Sequence, residues 1–227
     1  MQTEIQHRPS YSLAVVKLDP GETIRVEAGA MVSMSPGMAL ETKAAGGLLT
    51  SLKRSMLGGE SFFMNVYRAP AQGGEITLAP ALPGDMVVRE LKREALLVQS
   101  GSYVASSEGI DIDTKWTGAK TFFAREGLVM LRASGTGPLI LSSYGAIHEK
   151  ELGPGETYTV DTGHLVAFSE GMGFNVRMVG GIKSTLFSGE GLVVDLIGPG
   201  KLLMQTRSED AFLTWLIPKL PKERRSS

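Results

Sequence analysis

The stretch GGIKSTLFSGEGLVVDL (residues 180–196) holds the residue types that can cradle an anion: clustered glycines and a lysine, Lys183. A phosphate loop needs a helix after its glycines, so that free backbone amides and the helix dipole point at the ligand. Here the glycines open the run LVVDLI, rich in β-branched residues and closed by GPGK, which reads as a turn entering a buried strand. Among carboxylates, Glu108, Asp111 and Asp113 come close together, and paired acids can do acid–base work. Alternation in IDIDTKW (110–116) instead puts Ile110 and Ile112 on one face and the two aspartates on a wet one. The histidines, His7, His148 and His164, lie in unrelated contexts. The best metal set is His164 with Asp161 and Glu156, against the plainer reading of a surface imidazole on a loop. There is no cysteine and no Gly-x-Ser-x-Gly elbow, since SGEGL has Glu190 where a nucleophile would stand. The expectation is therefore a protein that is not an enzyme, with no catalytic residue, metal or cofactor to assign. A hydrolase or metal-dependent enzyme is the minor alternative.

The same pattern occurs three times. VEAGAMVSM (26–34), VQSGSYVAS (98–106) and VDTGHLVAF (160–168) share Val, Gly and Val at three-residue steps, with Gly29, Gly101 and Gly163 at the centre. Each is followed by a turn (SPGM, SEGI, SEGM) and later by a second block: LGGESFFMNV, AREGLVMLRA and SGEGLVVDLI. Its glutamates, Glu60, Glu126 and Glu190, lie 31, 25 and 27 residues after the glycines. Lys53, Lys120 and Lys183 precede those glutamates by seven, six and seven residues. The lead-in LDPGETIRV (18–26) returns as LGPGETYTV (152–160). A triplicated unit is the expectation, with repeats about 11–85, 86–147 and 148–207 in one β domain over 1–209. A glycine between two valine-rich strands is expected to supply positive φ or a bulge. The Lys/Glu pairs read as surface ion pairs within each repeat, or as a charged rim for an anionic partner.

Glycine, at 28 of 227 residues, is well above its usual share of about 7% and separates short runs of Val, Ile, Leu, Phe and Tyr. That is the pattern of an all-β fold. The first repeat is longest, and its extra apolar residues Leu48, Leu49, Leu52 and Met56 are expected to form a helix or flap offering a partner contact. Near the end, Ser208 can cap a helix over 209–217 that places Phe212, Trp215 and Leu216 on one face, a second partner contact. A basic tail (218–227), read as disordered, follows. The net charge of −1 makes nucleic acid an unfavoured partner, because phosphate binding needs a basic surface. No secretory signal and no apolar run of about 18–20 residues is visible, so the expectation is a cytoplasmic protein.

Gly180–Gly181–Lys183, Gly189–Glu190–Gly191 and Gln205–Thr206–Arg207, followed by a helix ending LIPKLP, closely resemble bacterial members of the altered-inheritance-of-mitochondria 24 family, also called domain-of-unknown-function family 124. The resemblance runs from about residue 2 to 221. It implies a fold like the tryptophan RNA-binding attenuation protein: tandem β-sandwich-like repeats of the double-stranded β-helix type, three per chain, with a short C-terminal helix. It also implies homo-oligomers, in the form of trimers, and a mitochondrial branch tied to inner-membrane organisation. The functional expectation is a non-enzymatic oligomeric binding or scaffold protein with a peripheral membrane or protein partner. The alternative, by fold analogy, is a small-ligand or RNA-binding module.

Overall fold

Strand-forming residues cluster between glycine and proline turns because only those turns let short apolar runs fold back on each other. The computed structural model describes residues 1–41, 64–113, 129–179 and 192–221, together with the backbone of 56–57 and 60–61. The first part of the chain forms β1 (Gln2–Gln6), β2 (Leu13–Leu18), β3 (Thr23–Glu27), β4 (Met31–Met34), β5 (Ala39–Glu41), β6 (Met56–Leu57), β7 (Glu60–Ser61), β8 (Met64–Arg68) and β9 (Gly74–Leu78). The middle part forms β10 (Met86–Gln99), β11 (Tyr103–Ser107), β12 (Ile110–Asp113) and β13 (Met130–Ser142). The last forms β14 (Ile147–Leu152), β15 (Thr157–Asp161), β16 (Leu165–Ser169), β17 (Gly173–Met178), β18 (Leu192–Ile197) and β19 (Gly200–Gln205), then α1 (Glu209–Leu216). Among the described residues the fold is all-β with one short C-terminal helix.

One antiparallel pairing scheme serves all three parts. In the first, β9 lies between β2 and β4, while β8 lies between β3 and β5. In the last, β19 lies between β14 and β16, while β18 lies between β15 and β17. The middle part runs the same scheme through two long strands. The C-terminal half of β13 pairs the start of β10 and β11, and its N-terminal half pairs the end of β10 and β12. The long strands turn from one layer to the other where β10 is irregular between Lys92 and Glu94, with Arg93 at φ 62°. Opposite, Gly135 and Gly137 of β13 have φ near 131° and 132°.

The second valine of each sequence block marks the same irregularity. The register skips Val32 between β4 and β9, Val104 between β11 and β13, and Val166 between β16 and β19. The bulge expected at the glycine thus falls three residues later. Gly29 does have positive φ (95°), but Gly101 and Gly163 sit in short 3-10 turns and carry no positive φ. In the last copy steric room sets the demand: a Cβ on Gly163 would lie 2.7 Å from the Ser208 hydroxyl.

Neighbouring parts share their cores. The first core packs Val16, Ile24, Val26 and Ile76 against Val104, Ala105 and Ile140 of the middle part. The second packs Val98, Ile110 and Leu131 against Val166, Ala167 and Leu203 of the last. The backbone follows suit, with β11 pairing β3 and β16 pairing the end of β10. Burial of such side chains contributes about 1.5–3 kcal/mol each.

Candidate functional site

The connectors between the parts stack on one rim. Ser12 N–H donates to the Gly84 carbonyl, Asp85 N–H to that of Gly145, and Thr206 N–H to that of Ala146. Asp85, buried here, receives the Arg8 guanidinium at 2.7 and 2.9 Å, the Ser12 hydroxyl at 3.2 Å and the Met86 N–H at 2.8 Å. Burial alone would raise its carboxyl, but these donors outweigh burial and hold it below the ordinary value of 3.8.

Beside the connectors runs a polar cleft of about 480 Å3, its walls including Glu27, Gln99, Ser102, Gly163, Gln205 and Ser208. The residue after the first valine of the block lines this cleft in the first two copies, as Glu27 and Gln99, and its chemistry differs between all three copies. Gln99 accepts from Ser102 at 3.4 Å, and Asp161 accepts from the Gly163 N–H at 2.8 Å. The carboxyl of Glu27 has no hydrogen bond or ion pair among the described residues, and desolvation pushes it from 4.5 up to about 7. A carboxyl poised near neutrality in a cleft is a candidate ligand contact. The sequence carries a signal for it, as Glu27, Gln99 and Asp161 at one position of the repeated block, two residues before the central glycine.

Gln205 ties this region together. Its amide donates to the Gly163 carbonyl (2.9 Å) and accepts from the Tyr144 N–H (2.9 Å), while its backbone carbonyl faces Nδ1 of His164 at 2.7 Å. His164 is thus half-buried and bonded to the backbone, not free on a loop. Glu156 is engaged elsewhere, by the Gly153 N–H and Lys150. The structure does not assemble His164, Asp161 and Glu156 into a ligand set, and no metal-binding group of side chains occurs among the described residues. Ile110 is buried and Asp111 exposed, as alternation requires.

Of the expected partner contacts, Phe212, Trp215 and Leu216 are placed by α1. Ser208 caps it, accepting from the Ala211 N–H at 3.4 Å, with Glu209 and Asp210 in the first turn. Phe212 meets Tyr144 edge-on (6.1 Å between centroids) and stacks on Trp215 (6.2 Å). Lys219 lies 4.6 Å over the Trp215 ring. Leu216 is half-buried, but Leu213, Trp215, Ile217 and Leu220 stay exposed. The helix is docked through one ring and offers the rest of its apolar surface outward. Leu48, Leu49, Leu52, Lys53, Lys120, Glu126, Lys183 and Glu190 lie outside the described residues. Met56 and Glu60 are placed by backbone alone, in the β6–β7 pair. Among the described residues no helix is long and apolar enough to cross a membrane.

Two streptococcal proteins are similar to this chain over nearly their whole lengths. An uncharacterized Streptococcus pyogenes serotype M6 protein, M6_Spy0233, is 28% identical over 230 residues, covering 97% of this chain and 92% of that protein. The crystal structure of SPYM3_0169 from Streptococcus pyogenes matches with a TM-score of 0.79 at 26% identity, covering 96% of this chain and 99% of the other. The family model described as mitochondrial biogenesis AIM24 matches residues 3–207, and the chain belongs to that family.

Proposed function

We propose that the chain is a non-enzymatic binding or scaffold protein that works as a homo-oligomer, a ring of three copies, with its C-terminal helices offered to a membrane surface. The observation that carries this reading is where apolar surface remains open. Trp215 on α1 and Ile217 just after it are 57% and 60% exposed, and Leu213 and Leu220 stand beside them. Such a patch on a short helix marks an interaction surface, and a tryptophan with a lysine snorkelling beside it suits the headgroup level of a bilayer. Light scattering tests the assembly, which should read as three chains; a monodisperse monomer at micromolar concentration would remove it. Flotation with anionic liposomes tests the membrane contact, using the full chain and a chain lacking 209–227. Binding lost on truncation supports the reading, whereas no binding by either chain refutes it.

The polar cleft, with a Glu27 that has no partner among the described residues, favours a second reading, a small-ligand module. The balanced charge disfavours the RNA version. A thermal-shift screen against amino acids and nucleotides separates the two: stabilisation dependent on Glu27 would favour the module.

A further inference from the structure

The two ends of the strand array carry the halves of one sheet. Each seam between parts is a six-strand sheet in which first–sixth–third strands of one part meet second–fifth–fourth strands of the part before. One such sheet runs β14-β19-β16 and then through the end of β10 and the start of β13 to β12. The other runs through the start of β10 and the end of β13 to β11-β3-β8-β5. Left over are β2-β9-β4 at one end and β15-β18-β17 at the other, the two halves of a third such sheet. Among the described residues, strand β4 pairs only β9, and β15 pairs only β18.

Burial shows the same vacancy side by side. Val104 and Val166 are 0% exposed inside the preceding core, whereas Val32, at the same place in its block, is 58% exposed with no core before it. Met34 is exposed where Ser106 and Phe168 are buried. On the receiving edge, Ile24 is 0% and Leu96 8% exposed, but Tyr158 is 37% exposed. An unpaired edge flanked by apolar side chains is a template for another strand.

We infer that β4 of one copy pairs antiparallel with β15 of the next copy, completing that copy's last core with Val32 and joining the two leftover half-sheets. The internal seams set the register. Ala105 faces Val26 and Ser106 faces Arg25 at one; Ala167 faces Val98 and Phe168 faces Leu97 at the other. Transferred to the open ends, Ser33 faces Val160 and Met34 faces Thr159. The contact is head-to-tail, so it propagates until the rotation closes it.

This pairing rests on the oligomer proposed above and names the surfaces that make it. The chain has no cysteine, so introduced pairs report without background. Directly opposed residues of antiparallel strands lie within disulfide reach. Met34→Cys with Thr159→Cys, both at exposed positions, should cross-link under mild oxidation into multimers between chains on a non-reducing gel, ending at three. Ser33→Cys with Val160→Cys should do the same from the other face. Met34→Cys with Thr157→Cys, two residues out of register, should stay single. Light scattering on each variant before oxidation separates the outcomes. An intact oligomer in which neither in-register pair cross-links, or in which the shifted pair does so as well, overturns the pairing and leaves the oligomer standing. A monomer overturns both.

Discussion

Replacing Glu27 by Gln should stabilise the protein above pH 7 and change little near pH 4. In the fold the carboxyl is desolvated and unpartnered among the described residues, so its protonated form is favoured and its pKa rises from 4.5 to about 7. The unfolded chain releases its proton near 4.5, and the folded one holds it until about 7. Stability from this group is therefore complete below the unfolded value, declines as pH rises between the two, and is lost above the folded one. At about 1.36 kcal/mol per tenfold change in proton affinity, the interval sets a ceiling of about 3 kcal/mol. Water reaches the carboxyl through the cleft, and screening lowers the expected gain to about 1–2 kcal/mol. Glutamine is a native choice at this position, since Gln99 occupies it in the middle block. Urea unfolding of the parent and Glu27→Gln at pH 4.5, 6 and 8 measures the effect. Equal stabilities at pH 8, or a Glu27 carboxyl titrating near 4.5 by NMR, would refute the reasoning.

Val32→Asp should dissociate the proposed assembly by light scattering yet leave the circular dichroism of the chain intact, because Val32 is largely exposed within one copy. Asp85→Ala should cost about 1–3 kcal/mol in urea unfolding, by stranding the buried Ser12 hydroxyl and Met86 N–H. Because the Asp85 carboxyl is held below its ordinary value, its share of stability is present above pH 3.8 and is lost as pH falls through the folded value, a loss absent from the alanine variant. Gly163→Ala should lower the Tm more than Gly101→Ala: the new methyl meets the helix-capping Ser208 at 2.7 Å in one case, and only the side chain of Gln99 at 3.2 Å in the other. Losing the cap alone costs about 1 kcal/mol.

Period-two alternation, turn chemistry and the Ser208 cap are local, so the all-β class and the helix over 209–217 could be read from residue order; the helix forms over Glu209–Leu216. The Val-x-x-Gly-x-x-Val spacing likewise marked where chains bend, although the bulge sits at the second valine. What residue order could not say is which copy of a similar block would be covered. MVSM, YVAS and LVAF have the same pattern, but burial is a property of the neighbour: Val104 and Val166 have a preceding core to enter, and Val32 has none. In the same way Glu27, Gln99 and Asp161 look interchangeable along the chain. Only the tertiary arrangement, which gives Gln99 a serine and Asp161 a backbone N–H but gives Glu27 no such donor among the described residues, made one of them a carboxyl poised near neutrality.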